Sequence, residues 1–189
     1  MTGSTASDMY ETLLAEYSNH EMALLLLQQH RPYMEMVPSI RRSRESILTL
    51  PLPAVKIRGS GSVVLPCDLA YLLCDPEWKI KMGGEIIILI QRSGEHFSEL
   101  LGRWRQTQVI LDCDYEWHRP NYYRQIMTEG SDRLYPLFVL YPNSDQRLAR
   151  GLRGAHLPFV VSNLFETLPV AAKNNLLINE NCETAEDMT

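Results

Sequence analysis

Residues 85–91 read EIIILIQ, and residues 94–107, GEHFSELLGRWRQT, follow with apolar side chains at helical spacing. The same alternation recurs three times: QVILDCD (108–114) then PNYYRQIMTEG (120–130), YPLFVLY (135–141) then SDQRLARGLRG (144–154), LPFVVS (157–162) then NLFETLPVAAKNN (163–175). Apolar runs alternating with helical segments predict strands of a parallel sheet joined by crossover helices. The runs are continuous rather than alternating, as expected of strands covered on both faces. The expected fold class is therefore α/β: a three-layer, mostly parallel sheet with helices on both faces, preceded by one or two N-terminal helices.

Outward from that stretch, the composition is that of an ordinary soluble globular protein: 189 residues, 45% apolar and 22% charged. No apolar run reaches the roughly 18 residues of a membrane span. The start MTGSTASDMYE has neither the basic opening nor the apolar run of a secretory signal, so the chain is expected to stay inside the cell. Cys67, Cys74, Cys113 and Cys182 lack CxxC spacing and paired histidines, and read as reduced thiols, mostly core-filling, without a structural zinc.

Three segments are expected: a helical one over 1–50, an α/β core over 51–178 and an acidic tail over 179–189. Asp8 and Glu11 form a capping-box pattern, and Tyr10, Leu13, Leu14 and Tyr17 follow at helical spacing. Ser18 to Glu21 repeats the pattern, either restarting a helix or sitting within one. Met22 to Leu27 is apolar nearly all round and should be buried, either on this chain's sheet or in a partner's groove. Leu24 and Leu27 are the candidate partner contacts there. Pro32 should end this helix. The basic stretch Ser39 to Glu45 reads as solvated, and Leu50 to Ala54 as an extended linker into a candidate edge strand at Val55–Ile57. Gly59-Ser60-Gly61-Ser62 lacks the GK[ST] ending of a phosphate loop and precedes a strand, so it reads as a hairpin or crossover turn. Leu69 to Leu73 resembles a short helix in its spacing.

The net charge of −5 is unevenly placed. Residues 1–40 carry five acidic side chains against Arg31, and the tail carries Glu180, Glu183, Glu186 and Asp187, which leaves the middle net positive. The tail has no apolar periodicity and is expected to be flexible. The basic residues are mostly arginine, the side chain that pairs carboxylates and phosphates bidentately. This balance permits nucleic-acid contact without demanding it.

Open α/β sheets bind ligands at the carboxyl ends of their strands. The sharpest chemical candidate there is Asp112-x-Asp114 after Val109-Ile110-Leu111, a pair that could hold Mg²⁺ or Mn²⁺ against a phosphate. It would serve a small Mg-dependent phosphotransfer or sugar-transfer enzyme. No lysine-bearing phosphate loop and no third acidic cluster accompanies it, and no cofactor is expected. Ser144 or Asn143, and Ser162, suit helix N-caps. Arg147, Arg150 and Arg153 fall along one side of the helix over 144–153 as a candidate phosphate track, and Arg103 and Arg105 flank Trp104. Tyr122 and Tyr123 cannot both be buried on one helix face, so one of them is a candidate partner contact.

The segment from Glu85 to Asp112 resembles the nuclease domain of the XPF-type structure-specific endonucleases, in which a strand ends in Glu-Arg-Lys with Asp three residues later. Here the strand ends in Gln91-Arg92-Ser93, Phe97 stands at the position of the Asp, and only the arginine matches. The run from His156 to Thr167 resembles the late strand and helix of that fold. The resemblance covers roughly half the chain and implies an inactive member, since Gln removes a metal ligand and Ser removes transition-state charge stabilisation. It further implies a nuclear protein that pairs with a second subunit and helps hold branched or single-stranded DNA, in DNA repair or meiotic crossover formation. The helix-hairpin-helix module that such members often carry is not seen in this sequence. The expectation is thus a non-catalytic scaffold subunit, a pseudo-nuclease partner in a heterodimer or larger complex.

Overall fold

The computed structural model describes residues 4–77, 81–120, 133–162 and 164. Four helices come first: α1 (Ser4–Tyr17), α2 (His20–Gln28), α3 (Arg31–Met34) and α4 (Ser43–Ser46). The break between α1 and α2 follows the repeated capping pattern, with the Asn19 side chain accepting from the Glu21 amide at 2.8 Å. Pro32 opens α3 instead of ending α2, since the first helical turn needs no amide donor from it.

The strands are β1 (Ile47–Pro51), β2 (Ala54–Ile57), β3 (Gly61–Val64), β4 (Leu69–Cys74), β5 (Lys81–Ile90), β6 (Tyr115–Trp117), β7 (Leu134–Leu140) and β8 (Phe159–Val161). Two further helices, α5 (Phe97–Leu111) and α6 (Gln146–Gly154), lie after β5 and β7. A five-stranded sheet has the order β1-β4-β5-β7-β8, and a three-stranded sheet the order β3-β2-β6. In the larger sheet only β5–β7 and β7–β8 are parallel; β1–β4 and β4–β5 are antiparallel, as is the whole small sheet.

This overturns the expected three-layer, mostly parallel sheet. Three misread stretches account for the difference. Residues 108–111 are the last turn of α5, not a strand: Leu100, Arg103, Trp104, Thr107 and Leu111 form one buried stripe at helical spacing, and Val109 points outward. Leu69–Cys74 is a strand buried on both faces, so its sequence lacks the alternation that would distinguish it from a buried helix. The expected linker over 50–54 begins inside β1, which pairs with β4 from Ile47 to Pro51. The expected hairpin turn is present but lies over residues 58–60, with Gly61 and Ser62 already paired in β3; Gly59 and Gly61 are both at positive φ. Val55–Ile57 is the centre of the small sheet, between β3 and β6, and not an edge.

Two apolar clusters lie on the two faces of the large sheet. One joins α1, α2 and α3 to Ile86, Ile88, Ile90, Leu137 and Val139; the other joins α5, α6 and the small sheet to Ile87, Leu89, Phe138 and Leu140. The N-terminal helices thus pack on this chain's own sheet. Leu27 is fully buried there and Leu24 packs against the same cluster, which corrects the placement of Leu27 on a partner surface. The small sheet is pinned by the fully buried Glu85 carboxylate, which accepts from the Tyr115 hydroxyl and from Trp117 Nε1 at 2.9 Å.

Candidate functional site

The polar groups of the core converge at the carboxyl end of β5. Asp68 lies just before β4, and antiparallel pairing sets it against the last residues of β5, where its amide donates to Ile88 O at 3.0 Å. Its carboxylate is fully buried and accepts four bonds: Tyr10 Oη at 2.8 Å and Arg92 Nη2 at 3.3 Å on one oxygen, the Ile90 amide at 2.7 Å and Arg103 Nη1 at 2.8 Å on the other.

Arg103 reaches this point from α5 and uses all five of its donors. Nε donates to Glu95 Oε1 at 2.7 Å, Nη1 to Asp68 and to Pro66 O at 3.4 Å, and Nη2 to Ile90 O at 2.7 Å and Glu95 Oε2 at 2.9 Å. Burial opposes the charge of Arg103, but Glu95 and Asp68 outweigh it and raise the guanidinium pKa above its ordinary value. Glu95 also accepts from the Arg92 amide at 2.9 Å, which fixes the turn from β5 into α5. Arg92 is half-exposed, with its guanidinium 5.8 Å from the Tyr10 ring centroid.

Neighbouring groups extend the network along the sheet edge. Gln91 Oε1 accepts from the Ser144 hydroxyl and, at 3.4 Å, from the Tyr141 amide, tying β5 to β7. Tyr17 and Ser162 share a hydroxyl–hydroxyl bond at 2.8 Å, so α1 is strapped to the sheet edge at Asp68 through Tyr10 and at Ser162 through Tyr17. Among the described residues, the buried Tyr141 hydroxyl has no hydrogen-bond partner. Desolvation, and then the charge of Asp68, push the Tyr10 and Tyr141 phenols up to about 12.

The expected site residues do not gather here. Asp112 is the C-cap of α5 and Asp114 pairs with Arg58 at 2.9 Å; both are exposed on a turn between helix and small sheet, not at the end of a parallel strand. Among the described residues, no group of three or more His, Cys, Asp or Glu is arranged to hold a metal. Arg103, expected on a nucleic-acid surface, is buried in the network, because its helical position shares the inward stripe with Leu100, Trp104 and Thr107. Arg105 is exposed, as are Arg147, Arg150 and Arg153 on α6. The α6 cap is Asp145, whose side chain accepts from the Arg147 amide at 2.9 Å, while Ser162 accepts from the Leu164 amide at 3.3 Å. Tyr122, Tyr123, Cys182 and the acidic tail lie outside the described residues. Cys67 and Cys74 are buried, and burial pushes the Cys67 thiol up to about 12; Cys113 is exposed.

Asp68, Glu95, Tyr10 and Tyr141 were missed by sequence reasoning. One signal was available: an arginine at an inward helix position demands acidic partners, and Glu95 lies two turns before Arg103. Comparison of the chain with family profiles, with curated proteins and with solved structures returned no match.

Proposed function

We propose that the protein is a non-catalytic α/β scaffold subunit of a larger complex, a pseudo-nuclease-like partner that contacts nucleic acid through the exposed arginines of α6. The observation that carries this reading is the closed ionic network at the carboxyl end of β5. Where an enzyme of this architecture would keep charged groups free for substrate or metal, Asp68 and Glu95 are both engaged by the Arg103 guanidinium, which has no donor left over. The remaining acidic candidates, Asp112 and Asp114, stand on an exposed turn with Asp114 already paired. With the Arg103 guanidinium and both carboxylates engaged, this centre positions elements rather than offering a group for chemistry.

Arg147, Arg150 and Arg153 present guanidinium groups that could meet phosphates on the outer side of α6, and Arg105 adds a fourth exposed arginine on α5. The test is a pair of assays on the purified chain with single-stranded and branched DNA in Mg²⁺ or Mn²⁺. Salt-sensitive binding without cleavage is expected, and it should weaken uniformly across sequences when the three α6 arginines are changed to glutamine. Metal-dependent phosphoester cleavage that is lost in Asp112→Asn or Asp114→Asn would overturn the reading. Native co-purification provides the second arm: a stoichiometric partner chain is expected, and a monomer alone in the native extract contradicts the scaffold role.

A further inference from the structure

Arg147, Arg150 and Arg153 follow one another at three-residue intervals on the exposed side of α6, while Leu148 and Leu152 face the core. Several other surface arginines sit beside acids of their own neighbourhood, Arg31 with Glu35, Arg42 with Glu45, Arg58 with Asp114 and Arg119 with Glu116, while Arg41 and Arg105 stand exposed one at a time and not as a row. The α6 arginines have no such partner among the described residues. The nearby Asp145 carboxylate is spent on capping the helix, and Arg153 lies over the Phe159 ring at 5.4 Å from its centroid. The result is a strip of three arginines without an ion pair among the described residues, offset only by the Asp145 carboxylate at the start of the helix.

The chain carries a segment whose charge pattern matches that strip. Glu180, Glu183 and Glu186 repeat at the same three-residue interval, with Asp187 beside the last, and no basic residue interrupts them. Distance is no obstacle. α6 leads directly into β8, with the Leu157 amide bonded to Leu152 O at 2.9 Å, and the described chain ends at Leu164 just beyond that strand. The fifteen positions from 165 to 179 have a contour length of up to about 50 Å, far more than the width of one helix beside one strand.

We propose that the acidic segment 180–187 docks on the Arg147–Arg150–Arg153 face of its own chain and competes there with any polyanion. Single exposed ion pairs contribute little, but tethering supplies an effective concentration in the millimolar range, so several weak pairs formed together hold the segment. Because the face is solvent-exposed, the contact is screened as the Debye length shortens with added salt. The inference uses the arginine face of the nucleic-acid reading but does not require nucleic acid to be its ligand.

The test compares the full chain with a full-length variant carrying Glu180→Gln, Glu183→Gln, Glu186→Gln and Asp187→Asn. The first probe is a fluorescein-labelled peptide of residues 179–189, followed by anisotropy. The neutralised chain should bind this peptide at low ionic strength, and the unmodified chain about 5–10-fold more weakly, because its face is already occupied. Arg147→Glu, Arg150→Glu and Arg153→Glu added to the neutralised chain should abolish binding. Equal affinity for both chains, or binding that survives the arginine changes, overturns the proposal. Competition that grows with the concentration of the unmodified chain, together with dimers in sedimentation, overturns docking within one chain in favour of exchange between copies. The second probe is a labelled oligothymidylate, for which neutralisation should raise affinity by a similar factor. If neither chain binds the oligonucleotide while the peptide behaves as expected, the nucleic-acid reading fails and the intramolecular contact stands.

Discussion

Replacing Arg103 with methionine removes the centre of the ionic network and leaves its shape nearly filled. The side chain gives up five hydrogen bonds, three of them to the carboxylates of Asp68 and Glu95, whose side chains are 0% and 6% exposed. Removing one partner of a buried pair costs about 3–5 kcal/mol, because the charge left behind is uncompensated. Each kcal/mol shifts the melting temperature of a domain this size by about 2–4 °C, so Arg103→Met should melt about 6–20 °C lower. Glu95→Gln added to Arg103→Met removes one of the two abandoned charges. The double variant should therefore be less destabilised than the sum of the singles, by about 1–2 kcal/mol. Arg103→Lys keeps the charge but offers three donors on a point-like ammonium, and should recover less than half of the loss. Urea denaturation followed by circular dichroism supplies all four free energies. A cost below about 1 kcal/mol for Arg103→Met, or strict additivity of the pair, would refute the view that the network holds α5 and β4 against β5.

Three further outcomes follow from the same edge of the sheet and from α6. The unpartnered Tyr141 hydroxyl makes Tyr141→Phe stabilising by about 1 kcal/mol, whereas Tyr10→Phe, which removes a donor from the buried Asp68, should cost about 1–2 kcal/mol; chemical denaturation of the two variants must give opposite signs. Because the Tyr10 and Tyr141 phenols are pushed up to about 12 in the folded chain, their contribution is complete below pH 10 and is lost as the pH climbs from 10 towards 12, so the urea midpoint should be level between pH 8 and 9.5 and fall beyond pH 10. A midpoint unchanged at pH 11.5 contradicts this. His156 follows the α6 cap at φ +54 with its amide bonded to Arg153 O at 3.0 Å, a left-handed position that favours glycine, and His156→Gly should raise stability by about 0.5–1 kcal/mol in thermal unfolding.

Sequence periodicity located β5, β7, β8 and α6, and of the two readings of the capping pattern over Ser18–Glu21 the structure takes the restart, with Asn19 as the cap of α2. In each case the local signal and the tertiary environment agree. It failed where burial erased the period. Leu69–Cys74 is hidden on both faces and offers six consecutive buried residues, compatible with either element. Val109-Ile110-Leu111 has β-branched character in the last turn of a helix, and the stripe running from Leu100 decided the outcome. The mistaken strand then moved Asp112 and Asp114 to a strand end that does not exist, so an error in topology became an error in chemistry. The site itself was less legible still. Asp68 and Arg103 are 35 positions apart, and only the antiparallel pairing of β4 with β5 brings them within 2.8 Å.

Charge is distributed unevenly over the fold. At the carboxyl end of β5, α1 lies across the edge on its tyrosine straps, and each buried carboxylate is matched by an arginine. On the outer side of α6 the balance is reversed, with three guanidinium groups against the single carboxylate of Asp145 at the helix cap and no ion pair among the described residues. The fold thus matches the buried carboxylates at this end of β5 with arginine and leaves a helix face charged. On the proposed reading, partner recognition belongs to α6, where a substitution such as Arg150→Gln leaves Leu148 and Leu152 in the core untouched and alters what the surface can hold. A variant at Arg103 and a variant at Arg150 should therefore separate cleanly: the first lowers the denaturation midpoint, and the second leaves the midpoint in place while weakening and flattening the salt dependence of polyanion binding.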